Sequence, residues 1–201
     1  MSDLRVVLLG KNRSENRRVA KALLDTIVFD GEAPSHSLQD SEKITGVTQD
    51  RKISVVINTH LLQTHLSHQQ VTHRVRECVR LSAPGPQVIL LVLQRHDFGE
   101  DDRHRAETVL KLFGKRAVRH TIVLTTDEEA RGAVVTPKSN AVRDLITECG
   151  GGHLRFDAVR AEFFKKTQEI LLREREEYLI CGTFEDEDLK ESTESRAGGG
   201  L

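Results

Sequence analysis

Short runs of β-branched and leucine residues recur along this chain, separated by longer segments whose apolar positions return every three or four residues. That alternation predicts an α/β fold with three layers, a mostly parallel sheet carrying helices on both faces. Arg5 to Leu9 predicts a buried strand, and Glu15 to Leu24 a helix with Val19, Leu23 and Leu24 on its period. Residues 26 to 50 are polar and weakly periodic, which predicts a long surface loop with an edge strand near Ile44 to Thr48. Ile53 to Ile57 predicts a strand and Gln70 to Leu81 a helix. Gln87 to Leu93 is apolar nearly throughout, as a central parallel strand should be. Asp101 to Phe113 predicts a helix stopped by Gly114, followed by a strand from His120 to Leu124 and a helix from Asn140 to Cys149 that runs into Gly150, Gly151 and Gly152.

The last helix is expected over about 157–179, with Phe156, Val159, Phe163, Ile170 and Leu171 on or near one stripe. That stripe docks on the sheet or is offered to a partner. Beyond Cys181 the acidic run Glu185 to Asp188 and the glycines at 198–200 have no apolar anchors, so residues 181–201 are expected to be a disordered tail after one domain at 1–180.

Composition changes this picture mainly by exclusion. The chain has 201 residues, 37 % hydrophobic and 30 % charged, as in ordinary globular proteins. With 30 Lys+Arg against 31 Asp+Glu the net charge is −1, which supplies no field for nucleic acid or anionic membrane. Three cysteines, Cys78, Cys149 and Cys181, lack framework spacing and suit free thiols in a reducing, cytoplasmic compartment. No apolar run is long enough for a signal peptide or a membrane span. His60, His65, His68 and His73 crowd one segment, but the spacing fits no zinc signature and only Glu77 lies close by, so solvated histidines are the default reading. Arg74, Arg76 and Arg80 interleave with apolar residues on a helix and read as its solvated face. No Ser-His-Asp or Cys-His grouping sits at a strand end.

The segment from Leu81 to Gln94, Leu-Ser-Ala-Pro-Gly-Pro-Gln-Val-Ile-Leu-Leu-Val-Leu-Gln, resembles a box peculiar to the IMAP (AIG1-type) GTPase family. Val79, the helix end Leu112-Phe113-Gly114, Thr121 to Leu124, and Glu148 to Gly151 extend the likeness in the same order. The resemblance implies a P-loop G domain binding GTP or GDP with Mg²⁺, and association with itself or with other IMAP-family G domains.

Against that expectation the nucleotide motifs depart. A phosphate loop GxxxxGK[ST] curls backbone N–H groups around the phosphates, neutralises them with Lys and holds Mg²⁺ with Ser or Thr. Here the frame reads Gly10, Lys11, Asn12, Arg13, Ser14, Glu15, Asn16, Arg17, in which only the first glycine survives. Glu15 puts a carboxylate where a glycine belongs, Asn16 replaces the lysine, and Arg17 replaces the magnesium hydroxyl. Each lost charge-assisted contact is worth ~1.5–3 kcal/mol, so the losses together exceed ~4 kcal/mol, about a thousandfold in affinity. Arg13, Arg17 and Arg18 place new cations nearby, which could in principle grip phosphate.

The second motif, Asp-x-x-Gly in the family, corresponds to Asn58-Thr59-His60-Leu61, and Thr45 or Thr48 stands for the switch threonine. Base recognition falls by resemblance on Glu129 and Asp157, although Asp157 equally suits the N-cap of the final helix. The leading expectation is a G domain with weak or lost GTP binding that acts by protein–protein association and is not an active GTPase. The alternatives are a guanine-nucleotide binder with slow or no hydrolysis, and a nucleotide-independent interaction module using the C-terminal helix. Neither nucleic acid nor membrane insertion is expected.

Overall fold

The computed structural model describes residues 3–24, 41–48, 51–63, 65–127 and 139–174. The tail expected at 181–201 and the helical residues expected at 175–179 lie outside the described residues. Six strands form one sheet: β1 (Leu4–Gly10), β2 (Ser41–Thr48), β3 (Arg51–Asn58), β4 (Val88–Leu93), β5 (Thr121–Thr125) and β6 (His153–Arg155), in the order β2-β3-β1-β4-β5-β6. Every neighbouring pair is parallel except β2 with β3. Among the described residues five helices cover it: α1 (Arg13–Leu24), α2 (His68–Leu81), α3 (Glu100–Phe113), α4 (Ala141–Glu148) and α5 (Val159–Glu174).

The two-residue period of the central strands divides the core between two faces. Val7, Leu9, Ile89 and Leu91 point to the side of α2, α3 and α4. Val6, Leu8, Leu90 and Val92 point to the side of α1 and α5. Both sets are buried, which is why β4 reads as a continuous apolar run and not as an alternation. The stripe of α5 faces the sheet: Val159, Phe163 and Ile170 are buried, while Leu172 on the opposite face is 73 % exposed.

Three expectations need correcting. The polar segment before residue 50 holds a full eight-residue strand, β2, starting at Ser41. As the last strand of the sheet order it keeps polar residues on display, so its alternation is faint. The three-residue β6 was not expected. Gly151 packs against Thr121 and Ile122, and Gly152 takes φ 70°, so the glycines after α4 turn the chain straight into a sixth strand. Third, α1 begins at Arg13, two residues before the expected start at Glu15, and this decides the shape of the site.

Candidate functional site

The carboxyl ends of the parallel strands open a crevice where doubly wound folds bind ligands. Gly10 ends β1 there, and only Lys11 and Asn12 separate it from α1. A loop that wraps phosphates needs four residues between its glycines, but here Arg13 and Ser14 are already in the helix. The early start has a local cause. Asn12 caps α1, its Oδ1 accepting from the Glu15 N–H at 3.2 Å, and its carbonyl accepts from the Asn16 N–H at 3.0 Å. Glu15 adds a carboxylate to the positive first turn. The helix N-terminus thus spends one of the donors that a phosphate would use, the Glu15 N–H, on the Asn12 side chain.

Asn16 is fully buried and folds back over β1, its Nδ2 donating to the Gly10 carbonyl at 2.9 Å and to Thr59 Oγ1 at 3.4 Å. A Cβ on Gly10 would collide with the Asn16 amide and approach the Val92 carbonyl at 3.1 Å. The missing Cβ of Gly10 therefore lets the Asn16 side chain approach closely. What is left beside Asn16 is a cavity of ≈ 20 Å³, lined in part by Lys11, Asn12, Glu15, Gln94 and Asp97.

Three of the cations around the loop are engaged with protein oxygens. Lys11 Nζ donates to the Asp97 carbonyl at 2.8 Å and to Asp102 Oδ1 at 3.1 Å, tying the loop to the β4–α3 connection. Arg17 pairs with Glu42 on β2 at 3.1 Å. Arg18 pairs with Glu15 at 3.2 Å, and its guanidinium lies 3.9 Å from the centroid of the Phe156 ring. The residues present do not fit a magnesium-bound triphosphate: its cradle is filled by an amide, a carboxylate faces it, and Arg17 turns to β2.

Asn58 ends β3 fully buried, with both ends of its amide in use. Its Oδ1 accepts from the N–H groups of His60 and Leu61, each at 2.9 Å, and its Nδ2 donates to Ser41 Oγ at 2.9 Å. The side chain that would face magnesium closes a turn and straps β2 to β3. Leu61, where the family glycine would swing, is buried in the core beneath α2. Thr45 and Thr48 are corrected as candidate switch residues. They pair with Ser54 and Arg51 in the β2–β3 ladder, while Ser41 is the β2 residue at the site end, opposite Asn58.

Glu129 lies outside the described residues. Asp157 is exposed within a 3₁₀ turn, Phe156–Ala158, and pairs with Arg155 at 3.3 Å. Sequence reading missed Asp127 at the end of β5. Its carboxylate accepts from the His96 N–H at 3.0 Å and sits 2.8 Å from His96 Nδ1. Burial pushes the Asp127 carboxyl up, but hydrogen bonds from the Arg95 and His96 backbone and the His96 ring outweigh it and hold it below the ordinary range. Nothing in the local sequence marks the pair, because its members are 31 residues apart.

Cys78 and Cys149 are buried, and burial pushes each thiol up to about 12, so neither is a nucleophile. Among the described residues no three His, Cys, Asp or Glu side chains converge as metal ligands, and His60 Nδ1 lies 3.3 Å from Gln63 Oε1. No described helix is long and apolar enough to cross a membrane.

Comparison with solved structures places the fold. The G domain of the T. maritima FeoB iron transporter superimposes with a TM-score of 0.54 at 14 % identity, covering 84 % of this chain and 99 % of that one. The chloroplast translocon components atToc33 and psToc159, whose dimerization is important for their GTPase activity, give a TM-score of 0.53 at 16 % identity over 83 % of this chain and 67 % of that one. Among curated proteins, GTPase IMAP family member 8 of Homo sapiens is 29 % identical over 162 residues, 78 % of this chain and 24 % of the human protein. The Mus musculus protein of the same name is 31 % identical over 129 residues, 64 % of this chain and 19 % of its own length. The chain thus spans no more than about a quarter of the curated relatives it matches. The AIG1 family model matches residues 4–175, nearly the whole of the six-stranded domain, and the chain belongs to that family.

Proposed function

We propose that this chain is an AIG1-type G domain that has given up tight triphosphate binding and acts by pairing with another G domain. The observation that carries this reading is the Asn16 amide bonded to the Gly10 carbonyl, in the space a phosphate loop keeps open. Opening it would break that bond, the Asn12 cap and the Lys11 tether together, and would set Glu15 against a polyanion. Two of the three arginines that could rescue it, Arg17 and Arg18, are paired with Glu42 and Glu15.

Association as the working activity is supported by likeness of fold to the chloroplast translocon GTPases whose dimerization is important for their activity, and by a core built from apolar side chains on both faces of the sheet. By resemblance, pairing uses the strand-end face and α2. A module working through the apolar stripe of α5 is disfavoured, because that stripe is packed on the sheet. Isothermal titration with GTP and Mg²⁺ tests the reading. No saturable heat at micromolar protein is the expected result, and a dissociation constant of about 1 μM, worth about 8 kcal/mol, would reject it.

A further inference from the structure

We propose that β2 is a pairing edge, on which a second copy of this chain lays its own β2 antiparallel, so that one sheet runs through two molecules. The inference rests on the reading that the chain acts by association, and it names a surface for self-association away from the strand-end face.

The sheet ends in two unequal edges. β6 has three residues, too few to template a partner, whereas β2 has eight. Among the described residues, β3 is the one strand that pairs with β2. In an antiparallel ladder alternate residues turn their N–H and C=O groups away from the partner, so β2 presents a row of them outward. The usual protections of an edge are missing. β2 contains no proline, and its pairing with β3 runs one to one from Ser41↔Asn58 to Thr48↔Arg51 without a bulge. Lys43, Thr45 and Val47 share one face of the strand and are exposed, Val47 at 60 %. On the other face Glu42 is tied to Arg17 at 3.1 Å and Ile44 packs against the core.

The charges of β2 select one register. A two-fold axis perpendicular to the sheet keeps each face on its own side, so only residues of the same face can be opposed. Centring the pair on Glu42 or Lys43 sets like charges directly opposite, which opposes pairing. Centring on Ile44 leaves the two lysines on a diagonal. Centring on Thr45 puts Thr45 opposite its own copy, Lys43 opposite Val47 and Ile44 opposite Gly46, with no like charges of β2 adjacent. Threonine pairs across strands are favourable, and the lysine stem covers the exposed valine. Because the contact is the same patch on both molecules, it closes at two copies and uses up both long edges.

Sedimentation equilibrium of the full chain through the micromolar range tests this, with a monomer–dimer equilibrium as the expected result. Val47→Lys sets a lysine opposite Lys43 at both ends of the ladder and should weaken the dimer by about tenfold or more. The thermal melt should stay unchanged, since Val47 is exposed. Adding Lys43→Glu to Val47→Lys places opposite charges across each pair and should bring the dimer back, a recovery that a merely damaged fold would not show. A dimer indifferent to Val47→Lys, or a double variant no better than the single one, overturns the inference and leaves association through another surface standing. A wild-type chain that stays monomeric overturns the inference and confines association to other G domains.

Discussion

Asn58 shows how a motif position can keep its place and change its work. A carboxylate there could face magnesium, but only an amide can donate to Ser41 while accepting from two backbone N–H groups. Asn58→Ala should therefore destabilise the domain by about 2–4 kcal/mol in urea unfolding, since it orphans two backbone donors in a buried turn. Asn58→Asp, which puts there the residue the resemblance implies, should also destabilise it and bring no magnesium dependence. Asp127 makes a second prediction, through its lowered pKa. A depressed carboxyl contributes stability that is fully present above the unfolded value, 3.8, and is lost as pH falls through the folded value. Acid unfolding should accordingly be shallower in Asp127→Asn than in the wild type below pH 3.8, and parallel curves would refute the assignment. Residue types alone named Glu15, Asn16 and Arg17 as misfits; their new partners, Arg18, Gly10 and Glu42, were not legible, because hydrogen-bond geometry is a property of the folded chain.

At the scale of elements, the start of α1 controls the site. Hydrophobic period locates the helix body through Val19 and Leu23, but a cap works on backbone donors and leaves no apolar signature. Asn12, at the end of a two-residue connection, sets the boundary at Arg13. Asn12→Ala should cost about 1 kcal/mol of stability without raising affinity for GTP, measured by thermal melts with and without nucleotide and Mg²⁺. A large nucleotide-dependent rise in melting temperature would contradict the closed-loop account. Strands β1, β3, β4 and β5 were visible in sequence because both faces of each are covered, so their apolar runs are long. The outer strands were harder: β2 carries polar residues at the sheet edge, and β6 has three residues, fewer than periodicity can register.

For the whole molecule, the six strands and five helices among the described residues enclose two cores of apolar side chains, one on each face of the sheet. Folding and pairing should then be independent of GTP. Sedimentation of the purified chain should give the same association state with GTP and Mg²⁺, with GDP, or with EDTA; a shift with the γ-phosphate would restore a nucleotide-driven switch. By itself the sequence determined the α/β class, the central strands and the family, because burial on both faces and side-chain chemistry are written position by position. Only the tertiary structure decided that α1 starts early, that Asn16 closes on Gly10, and that Lys11 and Arg17 are tied to Asp102 and Glu42. Those contacts join residues up to 91 positions apart, and the energies that select them are set by distances that exist only once the sheet has formed.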